Sequence, residues 1–368
     1  MELHLFRLTA RSAFGTRLRG STLWGHVCWA IREAEGEEAL TRFIDAHDGP
    51  APPLILGDAF PAGFLPRPIL PPMPPAIRQA LTERAEALRR AAAKRRAEPG
   101  ARRPKASKVF PSIKQLARMP LVPESHLRHW VSLGPLDEER IVTALMQARV
   151  TDQSFPEPVD FQPSLVTHVT LSRASGRALD GQLFTEASLF GGRQPSRADL
   201  VQFDLPVGAH GVSPEQIRAW LQVVGLVGYG RDASIGRGHF DVTYEGPMQW
   251  GCDAPNAVMA LGAFVPAPQD PADGTWEVET HYGRVGNEYA SHPPDPPGGL
   301  SRTPFKKPLL MFRPGSVFRC PSPPPAFVGR LVRGIYKLPH VVTAALAPVL
   351  PLRLAGDASQ TSKEAVHA

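Results

Sequence analysis

Residues 225–238 constrain this chain more than any other stretch, because they place several glycines and two arginines at a single turn. A helix is predicted to lead into them, with Ser213 as its N-cap and Pro214 at its first position. Apolar residues recur at helical spacing after that start, and a strand-like segment follows at residues 239–245. The predicted order is therefore helix, glycine-rich loop (residues 228–238), strand.

This order excludes one familiar kind of phosphate site. A P-loop runs from strand to loop to helix and ends in Gly-Lys-Ser/Thr, a motif that this loop lacks. Glycines nonetheless expose backbone N–H groups, and cations beside them favour a polyanion. The candidate anion-binding residues of the loop are Gly228, Gly230, Arg231, Ser234, Gly236, Arg237 and Gly238. The alternative is an ordinary glycine-rich connection between a helix and a strand.

A second basic loop lies near the start of the chain. Residues 2–9 are strand-like, and a helix is predicted from about residue 22 to residue 35, with Ser21 as its N-cap. Two arginines come just before that helix, where the helix dipole and the free N–H groups favour an anion. The candidate contacts to phosphate or RNA are Arg17, Arg19, Gly20 and Ser21. The alternative is that the arginines only face solvent.

The basic charge of the chain is concentrated in one segment. The 368 residues carry a net charge of +6 with a pI of about 9.4, which suggests a nucleic acid or another acidic partner. Residues 78–118 contain 13 Lys and Arg against three Glu, so this segment holds the whole excess. A helix is predicted over residues 77–97. The segment is expected either to contact a phosphate backbone or to remain a solvated insert.

Cysteine usage and hydropathy set the cellular context. The three cysteines, Cys28, Cys252 and Cys320, are widely separated, which argues against a disulfide framework or a zinc site. The first residues lack the pattern of a signal peptide, and the longest apolar run, residues 341–354, is interrupted by prolines. We therefore expect a cytoplasmic protein with no metal, no cofactor and no membrane contact.

The remaining patterns complete a fold prediction. Residues 165–173 and 182–190 alternate like the two strands of a hairpin, with a turn at 174–176, and another strand is expected at 199–205. In chain order the elements are strand, helix, a long insert, several strands, helix, glycine-rich loop and strand. This is a ferredoxin-like βαββαβ pattern with an enlarged middle.

The chain is expected to form two units of the α+β class. The first is an RRM-like domain over residues 1–245, with a basic and proline-rich insertion at about 62–160. The second is a smaller ferredoxin-like domain over residues 246–356, and residues 357–368 are expected to be a disordered tail. Strands of the second unit are expected within residues 257–265, 275–282, 306–318 and 341–354, the last of which is expected to close the sheet.

Several motifs, in this order, resemble the RAMP superfamily of CRISPR effectors. They are Leu18-Arg-Gly-Ser-Thr-Leu-Trp-Gly25, Leu54-Ile-Leu-Gly-Asp-Ala-Phe-Pro61, the basic insert before Ile113, Ser172-Arg-Ala-Ser-Gly176 and the glycine-rich loop. Within that superfamily the chain is most similar to the type III subunit that caps the 5′ end of the guide RNA. The resemblance covers most of residues 1–245 and residues 306–317.

The resemblance implies tandem RRM-like domains that grip the repeat-derived 5′ handle of the crRNA without cleaving it. It implies packing against backbone RAMP subunits and, in type III complexes, against a large polymerase-like subunit. By this likeness the hairpin at residues 167–190 would act as a thumb that interrupts guide–target pairing, with target RNA nearby. Further candidate RNA contacts are His168, Arg173, Lys306 and Lys307. The proline content and the arginine-rich insert depart from the family and leave open a diverged system without the large subunit.

The alternative function is a metal-independent endoribonuclease that processes precursor crRNA. RAMP proteins that cut such RNA use a histidine near the first helix, and His26 lies there. It would act as general acid or base, with Arg17 or Arg19 stabilising the developing negative charge. Against this, His26 neighbours apolar residues as a structural histidine does, and the acidic residues are too scattered for two-metal hydrolysis. We therefore expect a noncatalytic protein.

Overall fold

The computed structural model describes residues 1–97, 112–151, 156–191, 201–286, 289 and 303–356. Its mixture of helices and strands confirms the predicted α+β class. The helices are α1 (Gly20–Glu35), α2 (Glu37–Ala46), α3 (Pro75–Ala97), α4 (Ile113–Ala117), α5 (Glu124–Ser132), α6 (Glu138–Thr151) and α7 (Pro214–Val227).

The strands fall into two groups along the chain. The first half contains β1 (Glu2–Ala10), β2 (Leu54–Leu56), β3 (Phe60–Pro61), β4 (Phe64–Pro66), β5 (Leu121–Pro123), β6 (Phe161–Leu171), β7 (Ala178–Gly191), β8 (Gln202–Ala209) and β9 (Phe240–Pro247). The second half contains β10 (Ala257–Ala260), β11 (Gly274–Thr275), β12 (Val278–His281), β13 (Leu309–Phe312), β14 (Val317–Arg319), β15 (Phe327–Val332) and β16 (Thr343–Leu352).

The first sheet has the strand order β2-β8-β1-β9, with β3 also paired to β8. In the chain, α1 and α2 lie between β1 and β2, and α7 lies between β8 and β9. Every pairing is antiparallel, and β1 shows one buried face along its length. That face packs against α1 and α7, whose apolar residues recur every three or four positions.

The two helix starts differ from each other. Ser213 caps α7 as predicted, because its side chain accepts the N–H of Gln216 at 3.2 Å. The prediction that Ser21 caps the first helix is wrong, because α1 begins at Gly20 and Ser21 lies inside the first turn. The carboxylate of Asp58 takes over the capping role by accepting the N–H of Gly20 at 2.9 Å.

The insertion in the first unit supplies a helical layer to the second sheet. Helices α3 to α6 share a hydrophobic core with strands β10, β14 and β16. In that core, Leu127 and Leu145 are fully buried together with Met259 and Leu350. The most basic part of the insertion, Arg102, Arg103, Lys105 and Lys108, lies outside the described residues, as does the predicted tail at 357–368.

The second sheet has the order β11-β14-β10-β16-β15, and β12 and β13 form a separate two-stranded ribbon. The expectation that residues 341–354 close the sheet is wrong, because β16 is an inner strand between β10 and β15. Strand β16 is buried on both faces, which is consistent with its place inside the sheet. It contributes Ala344 and Leu346 to the core under α1, and Leu350 to the helical insertion. Ala347 belongs to a third cluster.

A proline inside this inner strand creates the junction between the two sheets. The N–H of Leu261 donates to the carbonyl of Pro348 at 2.9 Å. Pro348 has no N–H, so it cannot donate the second hydrogen bond of this pair to the carbonyl of Leu261. The Leu261 carbonyl instead accepts the N–H of Asp58 at 2.9 Å. A Cβ on Gly57 would lie 2.8 Å from the same carbonyl oxygen, so the backbones meet directly. The segment Leu54–Pro61 therefore joins the two sheets.

Strands β6 and β7 pair along most of their length and form a hairpin that leaves the first sheet. The base of the hairpin is fixed where Phe14 and Leu189 exchange two backbone hydrogen bonds. Farther along, side chains such as Leu165, Leu183 and Phe184 are exposed. The predicted hairpin is confirmed, and its turn lies between Leu171 and Ala178.

Among the described residues, none of the helices combines the length and the apolar character needed to span a bilayer.

Because β16 lies between layers, shortening one of its core side chains should destabilise the whole protein. We expect Leu350→Ala to lower the free energy of unfolding by about 2–5 kcal/mol, since Leu350 is fully buried. Leu310→Ala is the matched control, because that side chain is 64% exposed. Denaturant unfolding of both variants measures the difference, and equal stabilities would contradict the central role of β16.

Candidate nucleic-acid interface

Three segments meet at one end of the first sheet. They are the β1–α1 loop (residues 11–19), the glycine-rich loop and the base of β7. Gly238 donates its N–H to the carbonyl of Ala13 at 2.8 Å, and Arg231 donates its N–H to the hydroxyl of Thr16 at 3.1 Å. The two basic loops of the sequence are therefore in direct contact.

Tyr229 fastens these loops to each other. Its side chain is fully buried. Its hydroxyl donates to the carbonyl of Arg17 at 2.7 Å and accepts the N–H of Arg19 at 2.9 Å. Burial raises the pKa of this phenol, so it remains a neutral donor. Sequence reasoning did not select Tyr229, and the only signal for it is an aromatic residue between two glycines.

The glycines of the loop serve two different purposes. A Cβ on Gly238 would lie 2.1 Å from the carbonyl oxygen of Tyr229, and one on Gly228 would lie 2.7 Å from that of Arg237. These positions allow the chain to pack on itself. Gly236 has a φ of 87° and open space around its Cβ position, so a glycine is needed there for the left-handed turn, and its N–H is donated to the carbonyl of Ala233 at 3.0 Å.

The two arginines of this loop hold the base of the hairpin. The buried Arg237 donates to the hydroxyl of Ser188 and to Asp232 Oδ2, the latter at 3.1 Å. Arg231 donates to the carbonyl of Ala187 at 2.6 Å and pairs with Glu186 at 2.5 Å. The Arg231 side chain is nevertheless 40% exposed, so only this arginine of the pair is open to a ligand.

The arginines of the β1–α1 loop divide in the same way. Arg19 forms ion pairs with Glu279 of β12 and, at 3.4 Å, with Asp58, which places its guanidinium between the Leu54–Pro61 segment and the β12–β13 ribbon. Arg17 is 63% exposed and pairs only loosely with Asp160 at 3.4 Å. Arg17 therefore faces solvent, whereas Arg19 is part of the junction.

Asp58 is the acidic centre of this junction. Burial raises the pKa of its carboxyl, and the nearby Arg19 guanidinium opposes that rise. A Cβ on Gly20 would lie 2.1 Å from the carbonyl oxygen of Leu56, so the first turn of α1 lies directly on β2. The N–H of Gly20 is consequently used within the fold, and the neighbouring Ser21 is half-buried.

His26 contacts the glycine-rich loop from α1. Its Nε2 accepts the N–H of Gly230 at 3.1 Å, and its ring centre lies 5.3 Å from that of Tyr229. Burial lowers the pKa of His26 to about 4, so the ring is neutral at physiological pH. One of the two ring nitrogens of His26 is thus already bonded to the backbone.

The other predicted RNA contacts lie on different elements. His168 stacks on Phe184 across the hairpin, with ring centres 5.2 Å apart, and Arg173 is exposed in the hairpin turn. Lys306 donates to the carbonyl of Val342 at 2.8 Å, and burial lowers the pKa of its ammonium group to about 8. Lys307 is exposed. Only the loop residues form one cluster.

Metal ligands are not grouped in the part of the chain that the structure describes. No set of three or more His, Cys, Asp or Glu side chains in those ranges is placed to hold a metal ion.

Comparison with known proteins identifies the fold. No protein-family model and no curated protein matches the sequence. The chain is similar to a chain of the Csm1–Csm4 cassette in complex with cA4, with a TM-score of 0.53 and 16% identity over 96% of this chain and 99% of that chain. For the cassette in complex with pppApA the TM-score is 0.51 and the identity 15%, with the same coverage. The chain has the fold of these Csm1–Csm4 cassette chains.

This result confirms the resemblance that the sequence motifs indicated. A chain of the Csm3–Csm4 subcomplex in the type III-A CRISPR-Cas interference complex is also similar, with a TM-score of 0.49 and 12% identity over 95% of this chain and 99% of that chain. At such identities the likeness concerns the fold, and the roles of individual residues depend on the geometry described above.

The low pKa of His26 predicts a specific acid sensitivity. Its folded pKa of about 4 lies below the ordinary value of 6.5, so its contribution to stability is unaffected above pH 6.5 and is lost as the pH falls toward 4. Between neutral pH and about pH 5, wild type should lose about 2 kcal/mol more unfolding free energy than His26→Asn. Urea unfolding at both pH values measures this difference, and identical losses would contradict the buried, neutral state of His26.

Proposed function

We propose that this chain is a noncatalytic RNA-binding subunit of a type III CRISPR effector ribonucleoprotein. It would bind and cap the repeat-derived 5′ handle of the crRNA and so contribute to antiviral defence. The observation that carries this proposal is the likeness of fold to a chain of the Csm1–Csm4 cassette over 96% of this chain. We further propose that the two sheets form tandem ferredoxin-like, RRM-like domains.

The exposed cations at the loops are the proposed phosphate contacts. Arg17 and Arg231 are 63% and 40% exposed at the two loops, and the exposed Ser234 lies in the glycine-rich loop. Arg19 and the buried Arg237 would act indirectly, by holding these groups in place. RNA would therefore be held through its backbone at this end of the sheet.

The acidic partners of these arginines do not prevent such binding. Arg17 and Arg231 pair with Asp160 and Glu186 at the surface, where an ion pair contributes at most about 1 kcal/mol. An RNA phosphate can replace the carboxylate in a charge-assisted hydrogen bond, and release of counterions from the RNA adds a favourable term. The arginines are thus prepositioned by weak contacts that a polyanion can displace.

The hairpin and an apolar surface are the proposed contacts to other components. On the hairpin, Arg173 is open at the turn, which fits a position near target RNA. The exposed apolar side chains Val223, Leu226, Val227 and Ile235 lie on α7 and the glycine-rich loop. Such a surface fits a protein neighbour. We propose that backbone RAMP subunits, and a large polymerase-like subunit where the system has one, occupy surfaces of this kind.

The RNA contact is tested by Arg17→Ala combined with Arg231→Ala. We expect weaker binding of crRNA and a salt dependence whose slope is smaller by about 0.7 for each lost phosphate contact. Arg333→Ala is the matched control, because this half-exposed arginine pairs with Asp45 and Asp48 away from the loops. Binding titrations across salt concentrations give both quantities, and an unchanged affinity and slope in the double variant would refute the proposed contact.

The alternative function, precursor cleavage with His26 as general acid or base, has its own test. The bond from Gly230 to Nε2 supports a structural role for this ring. We therefore expect His26→Asn to leave the length of the crRNA in purified complexes unchanged, as read by RNA sequencing of the bound guide. Accumulation of uncut precursor with a folded His26→Asn protein would instead favour the nuclease.

A further inference from the structure

The β12–β13 ribbon has one face on which most side chains are open to solvent. Thr280 pairs with Leu310, and the ladder continues past β12, where Arg284 bridges to Phe305. Every second residue of one segment is exposed, namely Trp276, Val278, Thr280, Tyr282 and Arg284, and Phe305, Lys307 and Leu310 are exposed on the other. Alternate residues of a strand share a face, and the Thr280–Leu310 and Arg284–Phe305 pairs bring the two sets onto one surface.

The aromatic residues of this surface are unusually open. Tyr282 is 72% exposed, Phe305 58% and Trp276 43%. Aromatic rings bury a large apolar area and dominate the energetics of interfaces, so three exposed rings on one ribbon indicate a ligand-binding surface. They lie outside the loop cluster described above.

The surface is held rigidly from behind. Trp276 stacks on Phe318 with an interplanar angle of 10° and ring centres 5.7 Å apart. The inner face of the ribbon carries Glu279, which is fixed by its ion pair with Arg19, and Lys306 anchors the neighbouring strand through Val342. A ligand on the outer face therefore meets rings whose support is already ordered, which reduces the entropy lost on binding.

The charge of this face is positive. Arg284 forms no ion pair with the described part of the chain, and the ammonium group of Lys307 donates to the carbonyl of Gly334 at 3.1 Å. The acidic side chain next to the face, Glu277, is paired with Arg313 at 2.5 Å. Open rings interleaved with cations are the combination that binds single-stranded nucleic acid, through stacked bases and held phosphates.

We propose that the outer face of the β12–β13 ribbon is a second binding site for single-stranded RNA. Bases would stack on Tyr282 and Phe305, and the phosphates between them would contact Arg284 and Lys307. The proposal rests on the proposed function in taking the same class of ligand, but its residues are separate from those of the loops. Since any base has a π face, this contact holds RNA without reading its sequence.

The test uses the full chain and a fluorescently labelled oligouridine of about 20 nucleotides, with binding followed by anisotropy. Tyr282→Ala combined with Phe305→Ala should weaken binding by about tenfold or more and leave the salt slope unchanged, because stacking releases no counterions. Arg284→Ala combined with Lys307→Ala should reduce the slope by about 0.7 for each lost contact. Leu310→Ala is the control, because it removes an exposed apolar side chain of the same face but no ring, and it should bind normally.

The outcomes separate this site from the loops. Loss of binding in the ribbon variants with normal binding in the Arg17 and Arg231 variant would support the ribbon site and refute the loop contact. The reverse result would overturn the ribbon site alone. Normal RNA binding by the Tyr282 and Phe305 variant, with impaired assembly that Leu310→Ala also shows, would identify the face as a protein-docking surface and overturn the proposal. All variants alter exposed side chains, and their unfolding midpoints should match wild type.

Discussion

The burial of strand β16 on both faces is the constraint on which the rest of the structure depends. One strand supplies side chains to the core under α1, to the helical insertion and to a third cluster, so none of these layers is complete alone. Pro348 makes the same strand the origin of the junction, because its missing N–H leaves the Leu261 carbonyl for Asp58. Strand β16 thus contributes to the hydrophobic clusters and, through Pro348, to the position of Asp58.

Arginine has two roles at the interface, and burial separates them. Arg19 and Arg237 are held by acidic partners inside the fold, and removal of Arg19 would leave the buried Asp58 without this counter-charge. Arg17 and Arg231 have similar partners but remain open to water. A basic loop in a sequence therefore contains both structural and ligand-binding cations, and their three-dimensional partners decide which is which.

Local sequence patterns predicted many of the helices and strands. Contacts between residues that are far apart in the sequence could not be predicted from those patterns. The βα opening, the α7 cap at Ser213 and the hairpin follow from spacing and turn residues, and the structure confirms them. Ser21 was misassigned because the actual partner of the first turn, Asp58, lies 38 positions away. The partner of Arg19 is 260 positions away, and no local signal marks Tyr229 as the buried link between the loops. The interacting residues of this site are far apart in the sequence, and the fold brings them together.

The hairpin gives the protein a fixed reach. Between its base at Leu189 and its turn, β7 covers roughly 35 Å at about 3.3 Å per residue. Arg231 donates to the carbonyl of Ala187 at the base of the hairpin, and Arg173 lies in the turn at its other end. The two cations are therefore separated by about the diameter of a small domain. A paired ladder resists changes in length, which makes the hairpin a spacer. Whatever touches both of its ends must be an extended molecule or two different ones, held at a distance that the protein sets.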